Sequence, residues 1–135
     1  MKKFAVSVIG LLALLAAVFV ATGLLKAPMG ADLSVVGNGR PALVLAYENY
    51  SPAGGDALNR LKEVRADYED RLQFVVADLG TPQGRAFAGR FNLTDGVAVF
   101  MAGDGEALGA LAIPANQDAL RRELDRRLAQ AATEG

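Results

Sequence analysis

The sequence predicts one α/β domain of order β-α-β-α-β-β-α, a mixed four-stranded sheet flanked by helices, preceded by one N-terminal transmembrane helix. Three observations predict it. Two continuous apolar runs, residues 41–47 and 72–78, bracket a segment whose apolar residues recur at helical spacing. A third apolar run, residues 96–101, is followed by Gly103-Asp104-Gly105 and a fourth run, the pattern of a hairpin. An uncharged stretch of 22 residues, Phe4 to Leu25, precedes them all. A chain of 135 residues has length for one such domain and not two.

Taken in order, the uncharged stretch comes first. At about 1.5 Å per residue it makes a helix of roughly 33 Å, close to the roughly 30 Å hydrocarbon core of a bilayer. Lys2 and Lys3 before it favour a cytoplasmic N-terminus and place the domain on the far side. Lys26 opposes this weakly, as a single charge. Residues 1–25 are therefore expected to be a signal anchor, with residues 4–25 in the lipid bilayer. The alternative is a cleaved signal peptide and a secreted domain. Such peptides have apolar cores of about 7–15 residues and small residues at the cut. Ala21-Thr22-Gly23 is a poor cut site, and with no cysteine after the segment a lipoprotein is excluded. Residues 26–40 read as a linker punctuated by Pro28, Gly30, Gly37 and Gly39, with Leu33 to Val36 as a short edge strand.

The domain is expected over residues 41–135. Pro41 to Tyr47 lacks polar alternation and suits a strand buried on both faces. A loop follows, Glu48 to Gly55, and Asp56 is the expected N-cap of a helix reaching about Asp70. Leu58, Leu61, Val64 and Tyr68 form its apolar stripe. Leu72 to Asp78 is a second buried strand, parallel to the first through a right-handed crossover. Thr81 and Pro82 open a shorter helix, with Phe87 and Phe91 one turn apart. Gly96 to Met101 is the third strand and Glu106 to Ile113 the fourth. Asn116 caps the last helix, whose seam is Leu120, Leu124 and Leu128. Arg121, Arg122, Arg126 and Arg127 lie on its other sides, interleaved with Glu123 and Asp125. They read as a mixed-charge solvated face that the helix dipole favours near the C-terminus.

Composition removes whole classes of chemistry. There is no Cys, no His and no Trp. That excludes disulfides, iron–sulfur clusters, thiol nucleophiles and Cys-based zinc sites. It also removes the commonest metal ligand and the commonest general base. From residue 27 onward, 11 basic residues face all 15 acidic ones, a balance near −4. Such a domain suits neither nucleic acid nor an anionic lipid surface. Among the remaining carboxylates, Glu48 and Asp56 fit no EF-hand or glycosidase spacing. No metal and no cofactor is expected.

Several segments resemble the thioredoxin family. Gly39-Arg40-Pro41-Ala42-Leu43-Val44-Leu45 is similar to its first core strand. Tyr68 to Asp78 is similar to its helix-to-strand passage, Phe91 to Phe100 to the segment ending in its third strand, and Met101 to Glu106 to its hairpin with an Asp-Gly turn. The resemblance covers about residues 39–130. It implies where the family's chemistry should be and is not. The Trp-Cys-x-x-Cys motif falls on Tyr50-Ser51-Pro52-Ala53-Gly54, so Ser51 and Gly54 are the degenerate redox positions. The family's buried acid falls on Leu45, and its cis-proline on Val97, or on Gly96 if the register slips by one. The chain thus resembles a degenerate member of the thioredoxin-like superfamily, lacking both the Cys-x-x-Cys motif and the cis-proline. Disulfide exchange needs a thiolate, and a serine hydroxyl is too weakly acidic and redox-inert to replace it.

No catalytic residue is expected. Ser51 has no His to activate it and no nucleophile elbow around it. The candidate binding loop is Tyr47, Glu48, Asn49, Tyr50, Ser51 and Pro52, joined through the resemblance by Gly96 and Val97. It lies at the carboxyl end of the first strand, where open α/β sheets place their ligands. It carries two tyrosines and a helix start able to accept an anion. The other reading is a structural turn shaped by Pro52, Gly54 and Gly55. The expected function is a membrane-anchored, redox-inactive protein-binding or scaffold module, single-pass in a bacterial inner membrane and facing the periplasm. Its expected partner is another membrane or periplasmic protein, and an exposed apolar groove beside Tyr50 and Val97 would mark the site. The alternative is an accessory subunit of a thiol–disulfide or envelope-assembly pathway whose chemistry a partner supplies. A structural spacer is the third reading.

Overall fold

The run from Ala42 to Ala46 is fully buried because its strand has neighbours on both edges and cover on both faces. The structure, a computed structural model, describes residues 29–134. Strand β1 (Ala42–Tyr47) pairs in parallel with β2 (Gln73–Asp78) and antiparallel with β3 (Val97–Met101). Strand β4 (Ala107–Ala112) joins β3 antiparallel, giving the sheet order β2-β1-β3-β4. The register sets Ala42 beside Gln73 and Met101 at one end of the sheet, and Tyr47 beside Asp78 at the other.

Successive residues of the strands serve opposite faces. Leu43, Leu45, Phe74, Val76, Ala98 and Phe100 meet helices α1 (Pro52–Val64) and α3 (Gln117–Glu134) through Leu61, Val64, Leu120 and Leu124. Val44, Ala46, Val75, Ala77, Val99 and Met101 meet helix α2 (Pro82–Arg90) through Phe87 and Ala88. Each large aliphatic buried this way contributes about 1.5–3 kcal/mol. The predicted element order therefore holds, with two helices on one face and one on the other. The expected transmembrane segment, residues 4–25, lies outside the described residues. Among residues 29–134, no helix is long and apolar enough to cross a membrane.

Four local readings change. Helix α1 starts at Pro52 with Ser51 in the N-cap position, not at Asp56. It ends at Val64, and a 3-10 turn over Arg65–Asp67 replaces its expected continuation to Asp70. The tighter turn brings Tyr68 into the core, where its backbone carbonyl accepts from Leu72 N–H (2.8 Å) and turns the chain into β2. The Tyr68 hydroxyl donates to Asp125 Oδ1 (2.8 Å), fixing the end of the 3-10 turn to α3. Burial, then the Asp125 carboxylate, push that hydroxyl's pKa above its ordinary value.

Leu33–Val35 forms a 3-10 turn rather than an edge strand, because the Asp32 carboxylate accepts from Ser34 N–H (3.0 Å) and curls the chain. The edge contact is made earlier, by Gly30 bridging Val75 in parallel. Met29 is buried in the first core, and Leu33, Val35 and Val36 pack on the second.

The arginines of α3 are not a uniformly solvated face. Asn116 caps the helix as expected, its Oδ1 accepting from Ala119 N–H (3.0 Å). The helix then runs to Glu134, so its last turn holds no basic residue. Arg127, with a side chain 15% exposed, pairs with Glu123 and donates to the Leu108 carbonyl. Arg121 pairs with Asp67. Hydrogen bonding from Arg127 is the main cause holding the Glu123 carboxyl below its ordinary pKa.

Candidate functional site

Strand β1 delivers the chain to the candidate loop at Tyr47. Glu48 to Ser51 makes a turn, with Ser51 N–H donating to the Glu48 carbonyl (3.1 Å), and Pro52 opens α1. Proline suits this first helical position because its φ is already helical and its missing N–H has no partner to lose. Ser51 has extended N-cap geometry, yet its side chain makes no capping bond. The cap comes from Asp95, in the turn before β3. Its Oδ2 accepts from Gly54 N–H (2.9 Å) and its Oδ1 from Glu48 N–H (2.7 Å). One carboxylate thus holds both sides of the turn. Bonds to a charged acceptor are stronger than neutral ones, and the N-terminus of α1 favours the negative charge. The helix start expected to accept an anion already holds this carboxylate.

Asp95 also explains Gly54. A Cβ there would stand 2.1 Å from Asp95 Oδ1, 2.9 Å from its Cγ and 3.1 Å from Tyr47 Cδ2. A side chain at residue 54 would displace the Asp95 carboxylate, so the space a Cβ would need is already filled. Gly96 completes the close packing. Its φ is +84°, and a Cβ on it would lie 3.2 Å from the Ala53 carbonyl. Its N–H donates to the Ala46 carbonyl (2.9 Å), holding the entry to β3 against the end of β1. No peptide bond among the described residues is cis.

The side chains of the loop divide. Tyr47 is half-buried against the first core, and its hydroxyl donates to Asn49 Oδ1 (3.3 Å). Ser51 is half-buried, while Glu48, Asn49 and Pro52 are exposed. Tyr50 is 94% exposed, the one large hydrophobic residue so exposed among the described residues. Val97 packs on the second core, as do Leu79 and Phe91. Tyr50 stands off the body on its turn, while Val97 is half-buried against the second core. A cleft of about 1210 Å³ lies at the other end of the sheet, lined by Pro41, Arg71, Ala102, Leu128 and Ala132 among others.

The residue that sequence reasoning missed is Asp95. Thr94-Asp95-Gly96 carries an ordinary turn signal, and nothing local shows that its carboxylate reaches a helix 41 residues earlier.

No protein-family model matches this sequence, and no curated protein matches it. Solved structures do match its fold. Trxlp from Edwardsiella tarda superposes with a TM-score of 0.57 at 17% identity, over 67% of this chain and 87% of that one. Thioredoxin O2 from Arabidopsis thaliana, in its oxidised state, gives 0.55 at 13%, over 69% and 83%. A thioredoxin-like protein from Clostridium perfringens gives 0.61 at 14%, over 71% and 77%. The fold is thioredoxin-like, and the chain that adopts it contains no cysteine.

Proposed function

We propose that this thioredoxin-like domain without a cysteine is a non-catalytic protein-binding module that uses the Tyr50 loop as its contact. The observation that carries this reading is an aromatic side chain 94% exposed on a turn pinned from both sides by Asp95. Tyrosine is enriched among residues that anchor protein interfaces, because it buries a large amphipathic ring at low entropic cost. A turn already ordered before binding loses less entropy when the partner arrives. Thioredoxin-type disulfide exchange needs a thiolate that this chain does not have.

The reading extends to place. Residues 4–25 are long and apolar enough to span a bilayer, and Lys2 and Lys3 favour a cytoplasmic start. The domain then faces the periplasm of a bacterial inner membrane, and tethering raises the local concentration of partners there.

The test is photocrosslinking in intact cells, with a photoreactive phenylalanine at Tyr50 and a control at Lys62 on the exposed side of α1. Capture of one protein at Tyr50 and not at Lys62 supports the reading. Equal labelling at both positions, or none at Tyr50, rejects it.

A further inference from the structure

We propose that the domain is held with the Ala42 end of its sheet toward the bilayer and the Tyr50 loop away from it. The loop then meets a protein in the aqueous phase rather than the lipid surface. This rests on the reading that residues 4–25 span a membrane.

The described residues fix the direction of entry. Met29 is 8% exposed, and Gly30 bridges Val75 in parallel, its carbonyl accepting from Val76 N–H (2.8 Å). In a parallel bridge the two chains run the same way, so the chain arrives beside β2 from its Gln73 end. Only Lys26, Ala27 and Pro28 separate the proposed span from this docked segment, a reach of about 10 Å at full extension. The domain therefore sits close to the membrane, and its attached end is the Gln73 end.

The register gives the rest. Gln73 lies beside Ala42, and Ala42 beside Met101, so the β3–β4 hairpin shares the attached end. Gly39 N–H donates to the Gly103 carbonyl there (2.9 Å). Helix α3 finishes at the same end, where Leu128 and Ala132 line the cleft with Pro41 and Ala102. The Tyr50 loop leaves β1 at Tyr47, the opposite end. A six-residue strand such as β1 separates the two by about 20 Å. Glu48, exposed beside Tyr50, also suits water better than an anionic headgroup.

Because the chain has no cysteine, one introduced residue is a unique label. The full chain is reconstituted in vesicles of phosphatidylcholine and phosphatidylglycerol carrying a headgroup quencher. An environment-sensitive fluorophore is attached to Tyr50→Cys or to Ala132→Cys, both exposed positions. Severalfold stronger quenching at residue 132 than at residue 50 is expected. Equal quenching, or stronger quenching at residue 50, in a chain that resists carbonate extraction overturns the orientation and leaves the span reading intact. Release of the chain by carbonate overturns both.

Discussion

Two strand-to-helix connections leave the same end of the sheet with nearly the same spelling and different physics. After β1 the chain reads Ser51-Pro52-Ala53-Gly54, and after β2 it reads Thr81-Pro82-Gln83-Gly84. Each has a hydroxyl residue at the N-cap, proline opening the helix, and a glycine two residues later whose added Cβ would clash. The second connection is self-contained. Thr81 Oγ1 accepts from Gly84 N–H (3.0 Å) and donates to the Asp78 carbonyl (2.8 Å), while Asp78 Oδ1 accepts from Gly80 N–H (2.8 Å). The first depends on Asp95, and the Ser51 side chain takes no part in capping. A turn capped by its own residues spends its polar groups on itself. A turn capped from a distance is rigid and keeps Ser51 and Tyr50 available, which is the difference expected between a connector and a contact surface.

The comparison breaks most sharply at the two glycines. A Cβ on Gly84 would lie 1.9 Å from the Asp78 carbonyl oxygen and 2.5 Å from its carbon, atoms of a strand that cannot move aside. Gly84→Ala should cost about 3 kcal/mol in chemical denaturation, with no second-site remedy among side chains. Gly54→Ala meets a carboxylate, which can swing away at the expense of both its hydrogen bonds. A loss of about 2 kcal/mol is expected. Asp95→Ala should cost about 1.5 kcal/mol, because Gly54 N–H loses a charged acceptor while exposed Glu48 N–H turns to water. The two changes should not add. With the carboxylate gone, Gly54→Ala should be close to neutral, a coupling of about 1–2 kcal/mol in a double-mutant cycle. Additive losses would show that Asp95 does not occupy the side-chain space of residue 54.

The same pair of turns shows what the sequence could and could not tell. Strands β1, β2 and β3 were legible because burial on two faces writes a continuous apolar run. Helix α2 was legible because Thr81 and Pro82 act on residues beside them. Ser51-Pro52 carries a similar signal, but Gly54-Gly55 after it disfavour a helix interior and point to a later start. Only the contact with Asp95 explains why Gly54 is worth its poor propensity, and that contact spans 41 residues. The stretch from Met29 to Arg40 misled for a related reason. Pro28 and three glycines mark a flexible composition, yet Met29, Leu33, Val35 and Val36 bring enough apolar surface to dock it. For the candidate site, the chemical vacancy was legible in the missing cysteines. The packing of Asp95 against Gly54 was not, because it is a matter of where one carboxylate ends up in space.

The smallest effects sharpen the comparison best, since they isolate the two hydroxyls. Thr81→Ala removes an N-cap acceptor and should cost about 1 kcal/mol, the usual value for such a cap. Ser51→Ala removes no capping bond and should change stability by less than about 0.5 kcal/mol. In the Asp95→Ala background the prediction for Ser51 reverses. With the distant carboxylate gone, the Ser51 hydroxyl, at the N-cap position, can take up Gly54 N–H in the way Thr81 serves Gly84. Ser51→Ala should then cost about 1 kcal/mol, measured by urea denaturation of the two single variants and the double. If it stays neutral there, the turn before α1 is not a Thr81-type cap held in reserve, and the likeness of the two connections ends at their spelling.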